Sequence, residues 1–98
     1  MLTNGELFSM QEIHIFVSGV VQGVGFRAAV KRHAMLHQIR GYVRNLPDGR
    51  VEICAQGNGD QINQFIHTIQ IRPGAAQISN IETHHKPPQE FFSSFEVR

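Results

Sequence analysis

Cysteine is almost missing from this chain. Cys54 is the only one in 98 residues, which excludes an intramolecular disulfide and any cluster of several thiolate metal ligands. Nothing here demands an oxidising compartment. No stretch approaches the roughly 18 apolar residues of a membrane span, and the first residues, Met1 to Gln11, lack the basic start and apolar run of a signal peptide. A cytoplasmic protein is expected. No sign of charge dominates: nine Lys and Arg against eight Asp and Glu leave a formal charge of +1, intermixed rather than in a block, so neither nucleic acid nor a membrane is an expected partner. What is present suits one monomeric domain with one core, since 41% of residues are hydrophobic and 17% charged. Its expected limits are residues 12–98, behind a flexible leader over 1–11.

Along the chain, Ile13, Ile15 and Val17 alternate with His14 and Phe16, the period of a strand. Gly19 to Gly25 (GVVQGVG) carries three glycines, and from Phe26 the residues Phe26, Ala29, Val30, His33, Ala34 and His37 fall at helical spacing. Gly41 to Asn45 and Arg50 to Ala55 read as strands joined by Leu46-Pro47-Asp48-Gly49, a hairpin turn. Asn58 and Gln61 are spaced as a capping box before a second helix with Ile62, Phe65, Ile66 and Ile69 as its buried stripe, ended by Pro73-Gly74. Weaker strand signals follow at Ala76 to Thr83 and at Phe92 to Val97, with Phe91 and Phe92 expected to anchor the last strand. The order strand, helix, strand, strand, helix, strand predicts an α+β fold, a ferredoxin-like βαββαβ sandwich whose antiparallel sheet is covered on one face by two helices.

The glycine-rich loop is the first chemical signal. Glycines between a strand and a helix let backbone N–H groups turn to a common centre, and the helix N-terminus adds partial positive charge. No Ser, Thr, Asp or Asn precedes this helix to cap it, and a bound oxyanion fits that place. Arg27 lies in the first turn, where its permanently charged fork can give two parallel hydrogen bonds to one phosphate. Gly23 to Ala28 also satisfies the dinucleotide pattern G-x-G-x-x-G/A, but the next strand enters a hairpin instead of a parallel crossover and ends at Asn45 without the acidic residue that holds a ribose. No Gly-Lys-Ser/Thr follows, which excludes a nucleotide P-loop. Taken alone, the glycines are equally compatible with a tight turn, and Asn45 beside Pro-Asp-Gly with turn chemistry.

Together, Gly19-Val20-Val21-Gln22-Gly23-Val24-Gly25-Phe26-Arg27 and Gly41-Tyr42-Val43-Arg44-Asn45-Leu46-Pro47-Asp48-Gly49-Arg50-Val51-Glu52 resemble the two signature segments of the acylphosphatase family, and the resemblance runs from about Ile13 to Val97. It implies that the loop from Gly19 through Val20, Val21, Gln22, Gly23 and Val24 to Gly25 cradles a phosphate, that Arg27 binds it, and that Asn45 positions the attacking water. The chain departs from the family at His37-Gln38-Ile39, where the family commonly has Leu-Gly-Leu. If Gln38 takes a left-handed cap, the strain costs about 1 kcal/mol.

The implied chemistry is self-consistent. Neither arginine nor an amide exchanges protons usefully near neutrality, so the substrate must carry a good leaving group. An acyl phosphate expels a carboxylate that is stable unprotonated, whereas an alkyl phosphate usually needs an acid or a metal. The expected activity is hydrolysis of small acyl phosphates without metal or other cofactor. His33 and His37 share a helical face at ligand spacing but lack the glutamate of HExxH and a third ligand. His84 and His85 read as exposed loop residues near the end of a strand, and Cys54 as an ordinary strand residue facing away from Val51, Ile53 and Ala55. Rival readings are a single-stranded RNA module, for which the basic aromatic signature is missing, and a phosphate-binding or carbamoyl phosphate module akin to the acylphosphatase-like domain of hydrogenase-maturation carbamoyltransferases.

Overall fold

Alternating apolar residues at one end of the chain become an interior strand of a five-stranded sheet. The computed structural model describes residues 9–98, in the order β1 (Gln11–Val20), α1 (Phe26–Leu36), β2 (Arg40–Asn45), β3 (Val51–Gly57), α2 (Gly59–Ile71), β4 (Gln77–Lys86) and β5 (Phe95–Val97). The leader expected over 1–11 lies mostly outside the described residues, and Gln11 already pairs with Gly57 as part of β1. Sheet order is β4-β1-β3-β2-β5. Both helices pack on one face, where Ile13, Ile15 and Val17 meet Val51, Ile53 and Ala55 and are sealed by Phe26, Val30, Phe65 and Ile69.

The four strands of the expected βαββαβ unit form an antiparallel sheet, and a fifth strand added at the edge makes the whole sheet mixed. β1, β2, β3 and β4 pair antiparallel, but β5 runs parallel to β2. Topology dictates this. β4 ends at Lys86, opposite Glu12, and Glu12 pairs with Gln56, which in turn pairs with Arg40 at the start of β2. The chain therefore crosses that end of the sheet and enters the far edge in the direction of β2. β5 is only three residues long, too short to hold itself, but Phe95 is buried and packs edge-on against Phe65 at 6.3 Å. Burying such a side chain contributes roughly 1.5–3 kcal/mol. Phe92 lies before the strand and packs edge-on against Tyr42, while Phe91 is 55% exposed.

Local signals at the helix ends are realised. Asn58 and Gln61 form the reciprocal capping box at the start of α2. At the end of α1, Gln38 has φ of 58°. Its N–H reaches the Met35 carbonyl and that of Ile39 reaches Ala34, the paired bonds of a Schellman cap, with Ile39 and Ala34 buried together in the core. Glycine is the usual residue at such a position because a side chain is strained there. His84 and His85 are exposed as expected, but within β4 and not in a loop.

Candidate active site

The loop between β1 and α1 is shaped by three different causes. At Gly19 the pairing of β1 with β4 shifts register and φ is 130°; a Cβ there would meet the Gln77 carbonyl oxygen at 2.1 Å, so this glycine answers to the neighbouring strand. Gly23 and Gly25 have φ of 75° and 78° with open space beside them, as a loop turning its backbone outward requires. Val21 is buried and Val24 packs against the core, which pins the loop between the exposed glycines. Gly25 is the N-cap of α1 and provides no side-chain hydrogen bond, leaving the helix start open to an anion.

Two tethers hold this loop and Arg27 to the strand that carries Asn45. The Gln22 side chain donates through Nε2 to the carbonyls of Leu46 at 2.8 Å and Arg50 at 2.9 Å, the two residues whose backbones close the hairpin turn. Leu46 directly follows Asn45. Arg27 donates through Nη1 to the Arg98 backbone oxygen at 2.9 Å, and the Arg98 N–H donates to the Val43 carbonyl, two residues before Asn45. The Arg98 guanidinium meanwhile stacks over Tyr42 on the far face at 4.1 Å. Neither tether is legible in the sequence: Gln22 was expected to contribute to the cradle, and Arg98 had no expected role. Their partners lie 24 and 71 residues away, beyond any local pattern.

Asn45 shares the helix-covered face with Val43, across from Val51. Its Oδ1 is a buried side-chain oxygen without a hydrogen-bond partner among the described residues, an uncommon condition that costs about 1–3 kcal/mol. The turn beyond it is fixed by Asp48, which accepts from the Arg50 N–H at 3.0 Å and from the Arg50 guanidinium at 2.8 Å. These bonds hold the Asp48 carboxyl below its ordinary value, the backbone bond contributing most.

The histidine pair weighed as metal ligands is engaged otherwise: His33 Nε2 contacts the Arg72 carbonyl at 2.8 Å and His37 Nε2 contacts Thr68 Oγ1 at 2.9 Å. Cys54 faces away from Val51, Ile53 and Ala55 as expected, yet is buried too. Desolvation, followed by the nearby carboxylates of Glu12 and Glu52, pushes its thiol up to about 12, so it is no nucleophile at neutral pH.

Fold and loop together define a small ferredoxin-like α+β domain with a glycine-rich turn between β1 and α1. The acylphosphatase family model matches residues 13–97. An acylphosphatase of Caldivirga maquilingensis is 42% identical over 87 residues, covering 88% of this chain and 92% of that protein. The solved structure of an acylphosphatase from Coxiella burnetii superimposes with a TM-score of 0.88 at 35% identity, covering 98% of this chain and all of the other. HypF from T. kodakarensis contains a similar unit at 42% identity and TM-score 0.80, though the match covers only 12% of that longer chain. The chain belongs to the acylphosphatase family. It is an enzyme that hydrolyses acyl phosphates to a carboxylate and inorganic phosphate.

Proposed function

We propose that the loop Gly19 to Gly25 and the Arg27 guanidinium bind the phosphate and that Asn45 orients the attacking water. The observation that carries this reading is the unpartnered Asn45 Oδ1, buried one residue from the point where Gln22 ties the loop to the hairpin. An amide oxygen so placed accepts a hydrogen from water and aims the oxygen lone pair at phosphorus. Arg27 keeps donors to spare after its bond to Arg98 and stabilises charge on the equatorial oxygens, the main demand of phosphoryl transfer. The carboxylates of the second segment are engaged in ion pairs, Asp48 with Arg50 and Glu52 with Arg44, so the water's proton passes to a phosphate oxygen of the substrate, and the carboxylate leaves without protonation. No metal is part of this chemistry, and the reading includes a monomeric enzyme of the cytoplasm.

Hydrolysis of benzoyl phosphate in EDTA by the parent, Arg27→Ala and Asn45→Ala, each with folding verified by circular dichroism, tests the assignment. Losses of at least about 100-fold in kcat are expected for both, the scale of removing one oriented transition-state donor. Full turnover in either folded variant would remove that residue from the mechanism. Comparing acetyl, benzoyl and carbamoyl phosphate separates a general acylphosphatase from a carbamoyl phosphate module: similar kcat/KM for all three fits a site that reads only the phosphate.

A further inference from the structure

The face of the sheet away from the helices carries a second group of chemically capable residues. Glu12 and His14 stand two apart on β1, so their side chains project from the same face, and His14 pairs directly with Cys54 on β3. Their potential ligand atoms all lie within 4.8 Å of one another. His14 Nε2 is 2.8 Å from Glu12 Oε2 and 3.8 Å from Cys54 Sγ. Ordinary zinc bond lengths at a tetrahedral angle require about 3.3 Å between nitrogen and oxygen ligands and about 3.6 Å between nitrogen and sulfur. The two pairs with His14 are within about half an ångström of those spacings, and the Glu12 and Cys54 ligand atoms lie within 4.8 Å of each other.

We propose that Glu12, His14 and Cys54 bind one Zn²⁺ ion, with the fourth position open to water. Three features beyond proximity support a metal. The second carboxylate oxygen of Glu12 accepts from Gln56 Nε2 at 2.7 Å, while Gln56 is itself fully buried and fixed by the Glu90 carbonyl and the Phe92 N–H; outer partners of this kind orient metal ligands. Two adjacent central strands carry the ligands, so little backbone entropy is spent in assembling them. A hollow of about 310 Å³ bordered by Tyr42, Glu90 and Phe92 lies over the cluster, giving an ion entry and a water its place. The donor set of one thiolate, one imidazole and one carboxylate suits Zn²⁺ better than the oxygen-seeking Mg²⁺ or Ca²⁺. On binding, the Cys54 thiol releases its proton to solvent, and the His14 ring carries its proton on Nδ1 so that Nε2 is free to coordinate. The ion would join β1 to β3 on the face opposite the loop and Asn45, acting on stability and standing independent of the catalytic assignment.

Titrating the metal-free protein with Co²⁺ reads this directly. Cys54 is the only cysteine, so a thiolate-to-cobalt charge-transfer band saturating at one ion per chain, displaced by Zn²⁺, identifies the site without any mutation. The parent's Tm should climb with the logarithm of free Zn²⁺. Cys54→Ser should abolish the band and weaken Zn²⁺ binding by more than the roughly 10–100-fold that loss of an outer partner costs, and Glu12→Gln should also weaken it. Acyl phosphate turnover in EDTA should persist in both and so report folding. Absence of the band in active parent protein overturns the proposal. So does Zn²⁺ binding that survives in Cys54→Ser but is lost in the double variant His33→Gln, His37→Gln.

Discussion

Replacing Gln22 with glutamate keeps the size and shape of the side chain and changes only what its end can donate. Gln22 Nε2 now gives hydrogen bonds to the carbonyls of Leu46 and Arg50; a carboxylate would turn acceptors toward those acceptors. The carbonyls would not be orphaned, because the Gly49 N–H already reaches Leu46 and the Leu46 N–H already reaches Arg50. The loss is therefore the two tethers, about 0.5–1.5 kcal/mol each, plus the repulsion of a half-buried charge, together about 2–4 kcal/mol. For a domain of this size each kcal/mol lowers Tm by about 4–8 °C. Gln22→Ala removes the tethers without the repulsion and should lose only about 1–3 kcal/mol. Turnover should fall in both, since a displacement near 1 Å in a positioned site costs about 100-fold. The introduced carboxylate is stabilised in its protonated form, which raises its folded pKa above the unfolded value; the glutamate variant should therefore recover stability as pH drops below its folded pKa. Thermal melts across acidic to neutral pH and benzoyl phosphate kinetics provide the assay. Gln22→Glu matching the parent in both would refute the tether, and Gln22→Ala being the worse of the two would show that packing, not donation, matters at this position.

Two further outcomes follow from the ends of secondary structure and from the far face. Gln38→Gly should relieve the left-handed strain at the end of α1, offset by the lost bond from Gln61 Nε2 to Gln38 Oε1 and by glycine's greater freedom in the unfolded chain; a net gain of about 0.5 kcal/mol is expected, and a lower Tm would show that the side-chain bond outweighs the strain. The Cys54 thiol rises from 9.0 to about 12 on folding, so above pH 9 the unfolded chain ionises while the folded one does not. Stability is thus lost as pH rises, by about 1.4 kcal/mol between neutrality and pH 10. Denaturant melts of the parent and Cys54→Ala in EDTA should diverge in slope over that range; parallel curves would mean that the thiol is solvated.

Much was legible because it is written in contiguous residues. The alternation of Ile13, Ile15 and Val17, the Asn58 capping box and the turn at Pro47 to Gly49 depend on neighbours in sequence, and each formed where local chemistry placed it. The strain at Gln38 was equally local. The ends of weaker elements were not: β4 runs on to Lys86 because β1 offers it partners as far as Glu12, and β5 shortens because Phe92 turns to Tyr42.

By itself the sequence determined the order of elements, the glycine-rich turn ahead of Arg27 and the hairpin bearing Asn45, since periodicity and turn chemistry are properties of short segments. Only the tertiary structure decided that β5 lies parallel to β2, that Gln22 and Arg98 bind the loop and the arginine to the Asn45 strand, and that Glu12, His14 and Cys54 converge behind the sheet. Those relations join residues tens of positions apart, and no local preference specifies them; they arise when burial of the common core sets which strands become neighbours and in what register.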